Sequence, residues 1–357
     1  MLKFKNGKFT IMQVTDAQDL HFVRHSMIKM LGNAYDKVKP DLIVLTGDNI
    51  LGNHLCDARF GSKIVVHDKA GEEKNMRKAI DKLVCQIEKR GIPFAFIYGN
   101  HDDMNRLTKS EQAEIYKEYS TCVNPDTENF SYCLPIYSDD GNIKFNLFML
   151  DTARANEPQG VRPKDIEKIS NFASACREKY GKTIPAITFM HIPPEEELQL
   201  IEESDTGVRG DDGKLYKLKN ASGEFNEFPS VAPAPGLFEI AENTGIKAVV
   251  CGHDHQNGFH GKVNGVEIMQ TPCASFRCYG TRQRGVRVFD INENGGFDTY
   301  LLDMEELLGK GIGTELRYFW DADENEGKKT VAMVATAVTT ALSVSATLVT
   351  KEIRRKK

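Results

Sequence analysis

Two hydrophobic periods alternate along most of this chain. Short apolar runs, too brief for a helix, read as buried strands. Stretches with apolar positions three and four apart read as amphipathic helices. Residues 8–14 form the first run, and helical spacing over 22–38 follows, closed by Pro40. Leu42-Ile43-Val44-Leu45 is apolar throughout, the mark of a strand covered on both faces. Met76, Ile80, Leu83, Val84 and Ile87 share one helical face, and the aromatic-rich run 92–98, closed by Gly99, reads as another strand. The pattern then predicts a helix over 110–119 with Ser110 as N-cap, a strand over 146–150, and a helix over 163–179 with Pro163 in its first turn. A strand over 186–190, a helix over 237–243 and a strand over 247–251 come next, and runs 266–270 and 286–291 complete the sheet. No internal repeat is visible. Strand and helix alternating in this way predict an α/β fold, a parallel or mixed sheet covered by helices on both faces.

Several stretches depart from that rhythm. Residues 51–74 and 195–235 are polar, weakly patterned and rich in Gly, and read as insertions that bear on substrate choice. The predicted organisation is a catalytic domain over 1–305, an acidic linker over 306–329, a membrane-spanning helix over 330–350 and a basic tail over 351–357. The helix rests on Val331 to Val349, nineteen residues with no charge, Pro or Gly; about 20 apolar residues span a bilayer. A soluble tail helix packed on the domain is the alternative. Lys351, Arg354, Arg355, Lys356 and Lys357 favour a cytoplasmic tail by the positive-inside rule. That would export the domain, yet residues 1–8 lack the apolar core of a signal peptide. The expected arrangement is a cytoplasmic domain anchored to a membrane by its C-terminus.

The chain has 357 residues, 40% hydrophobic and 27% charged, enough for a packed core. Its net charge of −5 argues against a nucleic-acid partner, which wants a basic face. None of the eight cysteines forms a Cys-x-x-Cys pair, so neither a zinc ribbon nor a redox motif is suggested, and reduced thiols are expected. Nothing in the sequence identifies a protein partner.

The chemistry lies at the strand ends. Asp16, Asp48, Asn100-His101, His191 and His253/His255 each follow a predicted strand, and a parallel sheet brings such ends to one rim. Aspartate, amide and imidazole together suit divalent Mn, Fe or Zn. Asp16, Gln18, Asp48, Asn100, His191, His253 and His255 are enough for two ions with one shared ligand. Two ions about 3.5–4 Å apart clamp the attacking and leaving oxygens of a displacement and acidify a bound water. Asp48 is the natural bridge, since a carboxylate offers one oxygen to each ion. His101, one residue past a ligand, can face the site without binding metal and so stabilise the transition state or protonate the leaving oxygen. Asp19 and His21 read as loop residues. Arg277, Arg282 and Arg284 either grip a substrate phosphate or form an ordinary basic loop.

Asp16-Ala17-Gln18, Gly47-Asp48-Asn49, Gly99-Asn100-His101-Asp102, His191 and Gly252-His253-Asp254-His255 together resemble the five ordered blocks of the calcineurin-like metallophosphoesterases. The resemblance covers roughly residues 8–292. It implies a four-layer α/β/β/α sandwich of mixed sheets and hydrolysis of a phosphomonoester or phosphodiester by metal-bound hydroxide. It also implies one metal on Asp16, Gln18, Asp48 and His255, a second on Asp48, Asn100, His191 and His253, and Asp102 orienting His101. The first block is usually Asp-x-His, and Gln18 in the His position shifts preference toward a harder ion such as Mn, unless His21 swings in or the first metal is loosely held. Leu51 stands where purple acid phosphatases need an iron-binding Tyr, so a ferric centre is not expected. His191-Ile192-Pro193-Pro194-Glu195 and Leu150-Asp151-Thr152 look most like the purple-acid-phosphatase-like branch. Two rival readings remain: a membrane-tethered binding or scaffold protein with a weakened metal site, favoured by Gln18, and a Mn-dependent nuclease of the same superfamily.

Overall fold

The computed structural model describes residues 1–52, 69–154, 156–325, 328–329, 331–336, 338–340 and 343. Among them, two sheets lie face to face. One has five strands in the order Phe297–Asp303, Gly285–Asn292, Lys8–Val14, Leu42–Thr46, Phe94–Ile97. Its last three are parallel, and the first two add antiparallel. The other has eight, in the order Leu2–Lys3, Tyr132–Tyr137, Ile143–Leu150, Ala186–Met190, Ile246–Cys251, Val266–Gln270, Gly258–Val263, Ala221–Glu224. The four strands from Ile143–Leu150 to Val266–Gln270 run parallel.

Strand periodicity explains the layers. Leu42 and Val44 enter the core between the sheets, with Phe9, Ile11, Ile97, Phe189 and Val250. Ile43 and Leu45 point the other way, into a core shared with helices His25–Val38, Lys69–Glu88 and Lys109–Lys117. A strand buried on both faces has no polar position to spare, hence the unbroken apolar run. Helices Pro163–Tyr180 and Ala241–Thr244 cover the outer face of the eight-stranded sheet. The result is the four-layer α/β/β/α sandwich.

Several boundaries differ from the sequence pattern. The third helix begins at Lys109 because Thr108, rather than Ser110, caps it: Thr108 Oγ1 accepts the Glu111 N–H, and the Glu111 carboxylate accepts the Thr108 N–H. The helix expected from Met76 starts at Lys69, inside the first insertion; residues 53–68 of that insertion lie outside the described residues. The second insertion is partly a small sheet of Ile201–Ser204, Leu215–Leu218 and Val208–Arg209, and Ala221–Glu224 extends the large sheet. Runs 266–270 and 286–291 belong to different sheets rather than closing one.

The acidic linker is a correction. Met304–Leu308 and Ile312–Asp321 are helices, and Met304, Leu307, Tyr318 and Ala322 enter the same core as the first helices. Asp303 caps the first of them in a box with Glu306, so part of the acidity is capping chemistry. Among the described residues no helix is long and apolar enough to cross a membrane. Residues 344–357, which include the end of the uncharged run and the basic tail, lie outside the described residues.

Candidate metal centre

Three adjacent parallel strands of the five-stranded sheet deliver Asp16, Asp48 and Asn100 to one rim. Two adjacent parallel strands of the facing sheet deliver His191 and the pair His253/His255. The loops between strand and ligand are strained: Asp16, Gln18, Asp48 and His253 have φ of 50°, 27°, 47° and 75°. Side chains with a Cβ disfavour that region, and such conformations persist only where neighbours impose them. Here the Asp16 N–H donates to the Gly47 carbonyl at 3.1 Å and the Gln18 N–H to the Asp48 carbonyl at 2.9 Å. The His253 N–H donates to Asp16 Oδ2 at 3.0 Å. Glycine is required where these loops touch. A Cβ on Gly99 would stand 2.1 Å from Asp48 Oδ1, and one on Gly252 would stand 1.9 Å from Thr15 Oγ1.

The side chains converge in two overlapping groups, Asp48/His191/His253 and Asp16/Asp48/His255, whose ligand atoms lie within 4.8 Å of one another. Asp48 belongs to both. Asn100 Oδ1 lies 3.2 Å from His191 Nε2, and the Gln18 side-chain amide donates to Asp48 Oδ2. All seven sequence candidates therefore meet in one place, and neither group includes His21.

The donors fit divalent cations. Asp16 Oδ1 is a buried acceptor with no hydrogen-bond partner among the described residues. His191 Nδ1 lies 3.0 Å from the Thr46 carbonyl and His255 Nδ1 lies 3.0 Å from the Tyr279 carbonyl. A carbonyl only accepts, so each Nδ1 carries a proton, and each Nε2 is the nitrogen that faces inward and would give its lone pair to a cation. Those Nε2 atoms stand 3.4 Å from Asp48 Oδ1 and 3.4 Å from Asp16 Oδ1 respectively.

The electrostatics describe the same need for cations. Burial opposes ionisation of Asp48, but His191, His101 and His253 outweigh it and hold its carboxyl below the usual range. Asp16 is lowered in the same way, against burial, by His191 and His255. Burial disfavours the His191 imidazolium, yet Asp48 and Asp16 push it up to about 9. His255 is raised against burial by Asp16, while His253 is pushed down to about 4 by burial and by His191.

His101 sits at the edge, its side chain 30% exposed and its Nε2 4.0 Å from Asp48 Oδ2. Its backbone N–H donates to Asp48 Oδ1 at 2.8 Å. Asp102 corrects the expectation. Its carboxylate accepts the backbone N–H groups of Asn49, Ile50 and Gly99 at 3.0, 3.1 and 2.8 Å. His101 Nδ1 has no hydrogen-bond partner among the described residues. Asp102 thus holds the loops rather than orienting the His101 ring. Burial and the Asp48 charge, opposed by those N–H donors, push it up to about 7.

The three arginines are engaged by groups of the protein itself. Arg277 pairs with Asp19 and donates to the Phe22 carbonyl, and Arg282 pairs with Glu315. Arg284 is wholly buried and donates to the carbonyls of Ser275, Cys278 and Thr281. Asp19 is a loop residue, accepting the N–H groups of Leu20 and Arg24. Sequence reasoning missed the Thr46 and Tyr279 carbonyls, which carry no side-chain signature, and Ser230, whose Oγ lies 3.2 Å from His253 Nε2.

Residues 10–257 match the family described as calcineurin-like phosphoesterase. A probable inactive purple acid phosphatase 14 of Arabidopsis thaliana is 27% identical over 68% of this chain and 60% of its own length. Phosphatase DCR2 of Saccharomyces cerevisiae is 23% identical over 81% of this chain and 52% of its own. The chain thus spans little more than half of these two relatives. Among solved structures, GAP50, the anchor in the inner membrane complex of Plasmodium, shares the fold with a TM-score of 0.50 at 13% identity, over 86% of this chain and 87% of its own. PhoD has a TM-score of 0.50 at 10% identity, over 93% of this chain and 79% of its own. The chain belongs to the calcineurin-like phosphoesterase family.

Proposed function

We propose that this calcineurin-like phosphoesterase hydrolyses a phosphomonoester or phosphodiester at a two-metal centre. The observation that carries the reading is the pair of ligand groups sharing Asp48. Asp16, Gln18, Asp48 and His255 would hold one cation, and Asp48, Asn100, His191 and His253 the other. Mn is the favoured ion, because the first set offers three oxygen donors and one imidazole. When bound, such a pair neutralises phosphoryl oxygens and supplies a water acidified toward neutral pH. The protein's own part is positioning and proton transfer. The backbone bonds among the strained loops fix the donors before substrate arrives. His101, anchored through its N–H to Asp48 yet partly open to solvent, delivers a proton to the departing alkoxide.

The test is metal content together with turnover of an aryl phosphate and a bis-aryl phosphodiester after Mn loading. Two ions per chain and turnover, both lost in Asp48→Asn, support the reading. Fewer than one ion per chain and no turnover would sink it. That outcome favours the second reading, a binding or scaffold protein. Gln18, a weak ligand whose amide already faces Asp48, is the observation behind that alternative. Relatives named as probable inactive phosphatases point the same way. We also propose a membrane tether through the uncharged run and basic tail; deleting residues 330–357 should move the protein wholly into the soluble fraction, and an unchanged distribution would refute it.

A further inference from the structure

Beside the buried donors stands one half-exposed ring. Tyr279 leaves 49% of its surface open to solvent. It lies on His255, ring centroids 4.3 Å apart and planes 16° from parallel. Its carbonyl takes the proton of His255 Nδ1 at 3.0 Å. The residue is therefore held at ring face and backbone. One face is covered by an imidazole of the centre, and about half of the residue's surface stays open to solvent, 49% by area.

The loop beneath it is equally fixed. Arg284, fully buried, stacks its guanidinium on Phe276 at 5.1 Å and binds three carbonyls of the segment 275–281. A Cβ on Gly280, next to Tyr279, would stand 2.9 Å from Cys273 Sγ. Burying an arginine is costly unless its donors are met, and meeting them with one loop's carbonyls makes that loop rigid. A rigid aromatic surface loses little entropy when a second ring settles on it.

We propose that Tyr279 is a stacking platform for a planar aromatic group carried by the substrate, which makes aryl phosphates or nucleotides the preferred class. The inference rests on the phosphoesterase reading for its phosphate. Its own ground is position: the platform is one imidazole away from the metal donors, since His255 Nε2 lies 3.4 Å from Asp16 Oδ1. A ring attached close to phosphorus reaches it and stacks, whereas an alkyl group gains only the smaller contact of its CH groups with the ring. Every aromatic base offers a π-face, so the platform selects the class and not one base.

The test compares kcat/KM in two pairs that differ by a ring: phenyl phosphate against glycerol 2-phosphate, and adenosine 5′-phosphate against ribose 5-phosphate. The first pair reports a simple aryl group and the second a nucleobase. Calorimetric binding of phenylphosphonate against methylphosphonate adds a readout independent of turnover. Wild type should favour the ring member of at least one pair. Y279A should cut that ratio about tenfold and Y279F should keep it. A wild-type ratio near one in both pairs would overturn the proposal. So would a Y279A variant that loses both members alike together with metal, because Tyr279 would then act only through His255. If nothing is hydrolysed yet phenylphosphonate binds better and Y279A abolishes the preference, the phosphoesterase reading fails and the platform stands.

Discussion

The Asp102 carboxylate accepts the backbone N–H of Asn49 at 3.0 Å, which ties the loop carrying His101 to the loop carrying Asp48. Ile50 and Gly99 donate to the same group, so one buried side chain organises two strand ends. Asp102→Ala would orphan three buried N–H donors. The expected loss is roughly 2–5 kcal/mol in chemical denaturation, accompanied by reduced metal content as Asp48 shifts. His101→Ala should behave oppositely, lowering turnover about 100-fold or more while metal content and stability hold. Equal stability of the two variants would contradict this division of roles.

The metal-free protein should lose stability as pH rises from about 6.5 to 9. His191 is pushed up to about 9, Glu197 by burial to about 8, and Asp102 to about 7. All three folded-state values lie above the ordinary ones, so the native form binds extra protons there and their contribution disappears as each deprotonates. His253, pushed down to about 4, has the opposite sign and erodes stability as pH falls from about 6.5 to 4. Melting temperatures in chelator at pH 6.5 and 9 check the slope. Cation binding at His191 Nε2 must expel the ring's second proton, so calorimetry at pH 7 in buffers of different ionisation enthalpy should record proton release.

Gly99→Ala probes how tightly the loops interlock. Its Cβ would fall 2.1 Å from Asp48 Oδ1 and 2.3 Å from the Asp48 backbone nitrogen, and backbone cannot step aside as a flexible side chain can. The expected outcome is a loss of roughly 2–4 kcal/mol and of most bound metal, read by thermal unfolding and metal analysis. A fully loaded G99A protein would show the contact to be soft.

Gln18 sets how firmly the first cation is held. Gln18→His restores the imidazole usual in that block and should raise metal affinity by about tenfold or more, measured by competition with a chelator. Gln18→Ala should lower it. Identical affinities in all three proteins would mean that residue 18 is not a ligand.

Tyr318→Ala tests the C-terminal boundary of the folded unit. Tyr318 packs in the core with Met304 and Leu307, its ring edge-on to Phe276 at 6.3 Å. Removing it should cost roughly 3 kcal/mol, whereas an independent linker would leave unfolding unchanged.

Legibility followed burial. Leu42–Thr46 was plain because burial on both faces demands an unbroken apolar run, here Leu42 to Leu45. Tyr132–Tyr137 was hidden by its half-buried alternation and by Pro135. The strands inside 195–235 are only two to four residues long, too short for a period to show. The ligand residues were legible because side-chain chemistry is written in the sequence. The partners of Asp102, Arg284 and His255 were not, because they are main-chain N–H and carbonyl groups that every residue possesses.

The centre draws on both sheets: Asp16 and Asp48 come from one, and His191, His253 and His255 from the other. Each ligand group crosses the seam, so a bound ion would be a mechanical fastener as well as a chemical tool. Pulled apart by force, the sandwich would open like a book, fore-edge first, with the filled centre as its spine.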